Sequence, residues 1–557
     1  VWNELMRGRG VWLACVLALV GLQTARQTWS ARVESQTFDE GLHLASGYMF
    51  LVTGEYRMDI EHPPLGRVLN ALPLLFMGLD PHLDGDGWKR GDAIEQGRAL
   101  LYQQKSYRPE QILFRARLVT IALTALLGLA MAFWMRWRFG AGASLLAVFL
   151  LTLDPNLSAH GHYVTTDFIA ALGCFVAVLA FDFFLARRSW GSVVVAGLGL
   201  GFALCSKTSM LFLPAVFGLV WLVSKPEWRR VVGQGLLMAA VAAACVLAAY
   251  GPETGRAREG PKIDAYVQGE SGIDQVLRFA GQKLGAPGHK FLVAVAQVSQ
   301  HQRAGHPAYM LGECYQFGRW QYFPFVFAVK TPLGVLVLCL LALGVMWRVL
   351  RREWVVLAAP LVVYWALVVS SGINIGVRHL LPVYPLTYAL IGAMVGMSGR
   401  AVYGKALAGL LVVSCGLVAA ESARIAPDDL AFFNVAAGGP ANGPKLLVDS
   451  NLDWGQDLGK ARRWFDARGT RSVCLCYFGS ADQKYYGFPE WAVLTTEMVG
   501  KGERLPCRYV AISATLLMGV YHERAWYEWL RRREPVARVG WSIYVYDVGD
   551  VADAREP

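Results

Sequence analysis

Charge is what this chain has least of. Only 17% of its 557 residues are Asp, Glu, Lys or Arg, where about a quarter is usual in a soluble domain. Hydrophobic residues make up 55%, and a single soluble core stops growing well short of this length. The chain must therefore divide into domains or dissolve its apolar surface in lipid. Cysteine is sparse and scattered. Of the ten, Cys15, Cys174, Cys205, Cys245, Cys339 and Cys415 fall in apolar runs and read as small buried hydrophobes. Cys314, Cys474, Cys476 and Cys507 lie outside them, in no spacing that suits zinc. A bridge from Cys507 to either Cys474 or Cys476 is open. The apolar run 10–22 behind Arg7 and Arg9 lacks a small-residue cleavage site, so it reads as an uncleaved first helix. The sequence carries no internal repeat and no low-complexity tract.

What it has instead is a series of long apolar runs. At the roughly 20 residues a membrane crossing needs, about eleven candidates appear. They lie near 10–29, 112–134, 142–157, 164–186, 191–206, 208–224, 231–250, 321–346, 354–371, 379–397 and 403–421. The formal net charge of +11 would suggest nucleic acid in a soluble protein. Here many basic residues sit in short hairpins between the runs: Arg136 and Arg138; Arg187 and Arg188; Lys225, Arg229 and Arg230; Arg348, Arg351 and Arg352; Arg400 and Lys405. With the N-terminus inside, alternation through eleven spans puts every cluster on the cytoplasmic side, as the positive-inside rule requires. No nucleic-acid partner is expected.

The same alternation places 30–111, 154–166, 251–320 and everything after about 422 outside. Within 30–111, the stretch 65–76 has helical apolar spacing after Pro63 and Pro64 and suits a helix at the membrane surface. After the last span, 445–450, 472–478, 508–514 and 543–547 read as strands. Residues 453–468 read as a helix that Asp453 can cap. The expectation is a mainly α polytopic membrane domain over 1–421, with outer loops 30–111 and 251–320, and a small extracytoplasmic α/β domain over 422–557.

The residues able to do chemistry gather at the outer ends of the spans. Phe38-Asp39-Glu40 is followed by Glu61-His62-Pro63-Pro64. Asp39 or Glu40 could serve as a general base at the membrane–water boundary, where partial desolvation tunes a carboxylate. Thr37 and Glu40 also fit a capping box at a helix start. The two prolines would fix Glu61 and His62 in place. In the second outer loop, His160, His162 and Asp167 could ligate a divalent metal, or Asp167 could simply join a helix cap. Lys207, Lys330 and Arg378-His379 are cations at or near outer helix ends. There they either snorkel to the interface or hold a lipid-borne phosphate.

These motifs resemble those of the polyprenyl-phosphate-dependent membrane glycosyltransferases, which include the protein O-mannosyltransferases and the lipid A aminoarabinose transferases. The resemblance rests on Phe38-Asp39-Glu40, Glu61-His62-Pro63-Pro64-Leu65, and Pro155-Asn156-Leu157 through His160 to Thr165-Thr166-Asp167. It extends to Lys330-Thr331-Pro332 and Arg378-His379-Leu380-Leu381-Pro382. Ser450-Asn451-Leu452-Asp453-Trp454-Gly455-Gln456-Asp457, followed by Tyr477-Phe478-Gly479, is similar to the outer tail of bacterial members. The resemblance implies a GT-C type fold in a bacterial plasma membrane, a sugar donor on polyprenyl phosphate, and inverting transfer on the outer face to a glycan, lipid or protein acceptor. It implies Asp39 as base, with Glu40 and Asp167 beside it in the catalytic group. Lys330, Arg378, His379 and His62 are implied at the donor phosphate, and Glu61 and His162 at the acceptor or sugar. His62 stands where the aminoarabinose transferases usually carry Lys, which shifts the phosphate role toward Lys330 and Arg378. The sequence has no inserted sugar-binding-like domain between spans, as the mannosyltransferases do. The one cofactor the sequence leaves open is a divalent metal that His160, His162 and Asp167 could hold. A lipid transporter and a non-catalytic membrane scaffold are the rival classes: the first would carry inverted repeats, which the sequence does not show, and fits the long first outer loop poorly, and the second would leave the acid cluster and Arg378-His379 unexplained.

Overall fold

The computed structural model describes residues 8–224, 228–251, 275, 279, 286–348, 352–397, 405–489 and 507–549. Among these, five helices are long and apolar enough to cross a membrane: Arg9–Val33, Pro109–Phe139, Thr166–Arg187, Arg230–Tyr250 and Ala408–Ile425. A bent pair, Tyr322–Lys330 and Leu333–Gly344, turns by 116° at Thr331-Pro332 and makes a broken sixth. The remaining five expected spans fall on shorter apolar helices: Ala141–Leu153, Trp190–Ser206, Thr208–Val223, Val355–Val369 and Val383–Val395. Thr166–Arg187 is the most enclosed of the long helices, with 78% of its apolar window inside the protein. It carries Asp167 in its first turn, so that carboxylate is fixed at the N-terminal end of the most enclosed long helix.

The first outer segment folds back over the bundle. Helix Glu40–Thr53 runs from Asp39 to Gly54 and packs against Ala93–Tyr102 and Leu65–Ala71. Gly47 permits the second contact, because a Cβ there would collide with the Arg67 backbone. The expected surface helix is present as Leu65–Ala71, continued as a tighter 3-10 turn over Leu72–Phe76 in which Phe76 is 89% exposed. Between them, Tyr56, Asp59, His43 and the fully buried Arg67 form a polar knot. Arg67 pairs with the Asp59 carboxylate, donates to the Asp59 carbonyl at 2.7 Å, and bonds His43 Nδ1 at 3.1 Å. This knot fixes the loop that carries Glu61 and His62. Of 251–320, the described part holds helix Ala286–Ala304 and the hairpin Ala308–Met310 with Glu313–Tyr315. Most of what precedes 286 lies outside the described residues.

The C-terminal region forms a four-stranded sheet. Val473–Cys476 runs parallel to Tyr509–Ser513, which pairs antiparallel with Ile543–Asp547, itself edged by Ala537–Val539. A disulfide joins Cys474 to Cys507, and Cys476, which is not part of it, is buried. Two local expectations change. Residues 445–450 are not a strand: Gly443–Leu446 is a helical turn started by Pro444, and Asp449–Asn451 is a 3-10 turn with Asp449 at a positive φ of 58°. Their polar groups serve cross-links rather than a ladder, with Leu311 N–H donating to the Leu446 carbonyl at 2.9 Å. The helix is shorter than 453–468, spanning Leu458–Asp466 with Asp457 at its cap position. Asp453 instead accepts from Thr515 N–H at 2.9 Å.

Residues 450–457 are wedged between the bundle and the first outer segment. Phe38 N–H donates to the Trp454 carbonyl and Ser35 N–H to the Gln456 carbonyl, each at 2.8 Å. The outer region thus forms one wall of whatever lies beside Asp39.

Candidate active site

Asp39 and Glu40 are neighbours in sequence and part company in space. Glu40 is wholly buried. Arg117 Nε reaches its Oε1 at 2.8 Å and Nη2 its Oε2 at 2.6 Å, while the N–H groups of Thr37 and Val164 supply two further bonds at 2.8 and 3.0 Å. Glu40 reaches back to Thr37 as in a capping box, but the helix starts at Glu40 itself and Thr37 Oγ1 has no partner. With every lone-pair direction engaged, Glu40 is enclosed by the protein and does not line the cavity that Asp39 faces.

Asp39 faces the opposite way, into a cavity of about 710 Å³. Its Oδ2 lies 2.6 Å from Arg378 Nη1, and the same nitrogen is 3.5 Å from Asp167 Oδ2. Lys207 Nζ holds Asp167 Oδ1 at 2.5 Å. Arg378 belongs to the 3-10 turn Val377–Leu380, entered through Gly376 at φ 116°. A side chain at Gly376 would run into Ser450, so the close approach needs glycine. Ser450 Oγ donates to the Ile375 carbonyl and Asn451 Oδ1 accepts from Val377 N–H, at 2.5 and 2.9 Å. The Arg378 guanidinium stands 4.7 Å over the buried Trp454 ring, a placement in which the ring face favours the cation.

Glu61, His62, Lys207 and His379 also line the cavity. Glu61 pairs with His301 at 3.3 Å, and His62 stands edge-on to His43 with its Nδ1 3.5 Å from Asp59. One side is apolar, formed by Leu211, Phe212, Leu367 and Val368 from the ends of two bundle helices. Leu211 and Leu367 are 40% and 45% exposed, so the apolar side of the cavity continues to the protein surface.

Burial raises the Asp39 carboxyl above its ordinary range, with Arg378 pulling it back only in part and Asp167 adding to the rise. Glu61 goes the other way. Burial opposes ionisation, but the bond from His301 and the charges of His62 and His301 hold its carboxyl below the usual value. His301 is raised in return, chiefly by its bond to Glu61.

Other expected residues lie elsewhere. Lys330 is wholly buried, its ammonium donating to the carbonyls of Leu430 and Asn451 at 2.8 and 2.6 Å and standing 4.6 Å over the Phe433 ring. It clamps the outer segment to the bundle and does not reach the cavity, so the expected phosphate role does not match its position. His162 is buried with Nε2 on Glu34 at 2.9 Å and Nδ1 on the Ser158 carbonyl at 3.0 Å, and it does not line the cavity. His160 packs against Tyr163 and Trp454, and burial pushes its imidazole down to about 3. The residues considered for a metal do not fit one. Both His162 nitrogens are engaged and Asp167 is committed to two cations. Among the described residues, no group of three or more His, Cys, Asp or Glu could hold an ion.

With this geometry in hand, the chain can be set beside known proteins. Residues 111–251 match the family model described as dolichyl-phosphate-mannose-protein mannosyltransferase. The crystal structure of ArnT from Cupriavidus metallidurans bound to undecaprenyl phosphate aligns over 95% of this chain and 97% of its own, at 14% identity and a TM-score of 0.50. The Archaeoglobus fulgidus oligosaccharyltransferase in its apo form aligns over 93% of this chain and 72% of its own, at 11% identity and a TM-score of 0.52. The chain has the GT-C glycosyltransferase fold. No curated protein sequence matches it. In this GT-C chain, Lys207 is open as a phosphate cation from its position alone but is not among the residues the resemblance implies, and Trp454 and His301 have no expected role at the site. The isolation of Lys207 between two apolar runs was a signal for the first. Trp454 lies in the tail motif and His301 in a segment without one, and the proximity of both to the cavity residues arises only on folding.

Proposed function

We propose that this protein transfers a sugar from a polyprenyl-phosphate donor to an acceptor hydroxyl or amine, with inversion, at the outer face of a bacterial plasma membrane. The observation that carries this reading is that Asp39 shares one cavity with Arg378 and Lys207. The cations are suited to a phosphate, Arg378 by its planar fork and Lys207 as a point charge. The apolar flank is suited to the polyprenyl chain. His379 and His62 line the same space, and Glu61 with His301 is available to a sugar hydroxyl.

In the reaction, Asp39 takes the proton from the acceptor as its oxygen or nitrogen bonds to the anomeric carbon. The bond from that carbon to the phosphate oxygen breaks, and polyprenyl phosphate leaves with its charge held by Arg378 and Lys207. A single displacement inverts the anomeric centre. The basic hairpins support a cytoplasmic N-terminus and a site on the outer side. The Cys474–Cys507 disulfide suits an oxidising compartment.

The test is incubation of the purified protein with a polyprenyl-phosphate-linked radiolabelled sugar and a membrane extract as acceptor source. Release of polyprenyl phosphate with label moved to an acceptor is expected. Intact donor after prolonged incubation, with stable protein, would count against the reading.

A further inference from the structure

We propose that Arg378 is a latch on the base: without donor it holds Asp39, and the phosphate of an incoming lipid-linked sugar takes Arg378 over, leaving Asp39 free to accept a proton. This rests on the reading of Asp39 and Arg378 given above. It adds a compulsory order, donor before acceptor.

The geometry of Arg378 is that of a shared group. One nitrogen, Nη1, stands 2.6 Å from Asp39 and 3.5 Å from Asp167. A carboxylate with a guanidinium at the shorter distance has an oxygen engaged and its charge offset, which makes it a weaker proton acceptor than the same carboxylate released from that bond. Compare Glu40 with Arg117: that pair is bidentate and fully enclosed, with nothing able to compete for it. Asp39 and Arg378 make one bond, and their side chains are 19% and 13% exposed where both line the cavity. An anion entering the cavity can reach that pair.

Release of Asp39 does not strand the cation. Asp167 remains near Arg378, anchored from behind by Lys207, and Trp454 supports the guanidinium plane from below. A phosphodiester carries one negative charge and offers two oxygens to the planar fork, so it can replace a single carboxylate oxygen on Arg378. The exchange leaves the site with one more negative charge than before. That surplus is removed when Asp39 takes a proton from the acceptor, so donor binding itself makes Asp39 the better base.

Competition predicts a binding effect that needs neither sugar nor acceptor to be known. Kd for a fluorescent polyprenyl phosphate is measured on the detergent-solubilised full chain, with native mass spectrometry as a second readout. The proteins are the unsubstituted chain, Asp39→Asn, Arg378→Gln and the double variant. Asp39→Asn is expected to tighten binding by about five-fold or more, at the low end of ordinary coupling between sites. In the Arg378→Gln background the same change is expected to do less than about two-fold, because the contested group is gone. If Arg378→Gln binds too weakly to measure or loses its fold by thermal melting, Arg378→Lys replaces it, since a point charge cannot form the same fork. An equal gain in both backgrounds would mean that Asp39 acts only by diffuse repulsion, and no gain would mean that it does not compete. Either result overturns the latch while the transferase reading stands. Absence of polyprenyl phosphate binding to the unsubstituted protein would overturn both.

Discussion

Arg117 grips Glu40 by both carboxylate oxygens, at 2.8 and 2.6 Å, in a place neither side chain shares with solvent. Arg117 also donates to the carbonyls of Ala31, Glu34 and Ser35 at 2.8–3.0 Å. One arginine therefore ties the end of the first span to the start of the helix that presents Asp39.

Breaking a buried pair from one side leaves an uncompensated charge, at a cost of about 3–5 kcal/mol. Glu40→Ala should lower stability by that order and deplete folded protein in the membrane. Glu40→Gln keeps the shape and should lose less. Thermal melting in detergent, with activity expressed per folded molecule, checks this: near-normal turnover per folded molecule is expected for Glu40→Gln. A loss of turnover without loss of stability would return Glu40 to the reaction.

Asp39 must be ionised to accept a proton, and burial raises its carboxyl above the ordinary carboxylate value. Transfer should fall on the acid side as pH drops through that raised value, with Arg378, Asp167 and His62 setting its position. Asp39→Asn should abolish transfer with melting behaviour kept. A pH profile of initial rates is the measurement. An acid limb that persists unchanged in a residually active Asp39→Asn protein would assign it to another group.

Lys207 and Lys330 should separate cleanly. Lys207→Gln removes a cavity cation and should weaken donor affinity by about ten-fold, the worth of one charge-assisted bond. Lys330→Met leaves the Leu430 and Asn451 carbonyls without their donor, at roughly 2–4 kcal/mol of stability. Its folded fraction should bind donor within about two-fold of the original. Ligand titration beside melting curves tests both at once.

In the outer region, burial raises Asp453 to about 7, with Thr515 opposing. A carboxyl raised on folding binds its proton more tightly in the native state. Its stabilising effect is complete below the unfolded value near 4 and is lost as pH rises through about 7. Stability should therefore decline over that window, and Asp453→Asn should flatten the decline and raise the melting temperature at pH 8. Melting curves from pH 4 to pH 8 decide; identical slopes for both proteins would show that Asp453 does not titrate there.

Much of the architecture was legible because lipid imposes a length rule on apolar runs. All eleven expected runs fall on helices, and 472–478, 508–514 and 543–547 each contain a strand. The error at 445–450 has a plain cause. Leu446, Leu447 and Val448 read as a strand by composition, but Pro444 and the positive φ of Asp449 turn the backbone into helical pieces. The site was legible only by residue type. Asp39 and Glu40 carry the same chemistry one position apart; the Thr37–Glu40 spacing points to a capping bond for Glu40, which forms, but nothing local names Arg117 as its partner. Lys207 and Lys330 both interrupt apolar runs, and which one meets solvent depends on what folds over it.

By itself, then, the sequence determined that this is a chain of apolar helices with its acids and cations collected at one end. Span length, the positions of Lys and Arg, and Pro-fixed loops are local properties, each set by the cost of burying backbone and charge. The tertiary structure alone decided which charges meet. Arg378 and Asp39 are 339 positions apart, and Trp454 completes their surroundings from a third region. Partnership between buried charges is fixed by distance and by what excludes water, and neither exists until the outer segment closes over the bundle.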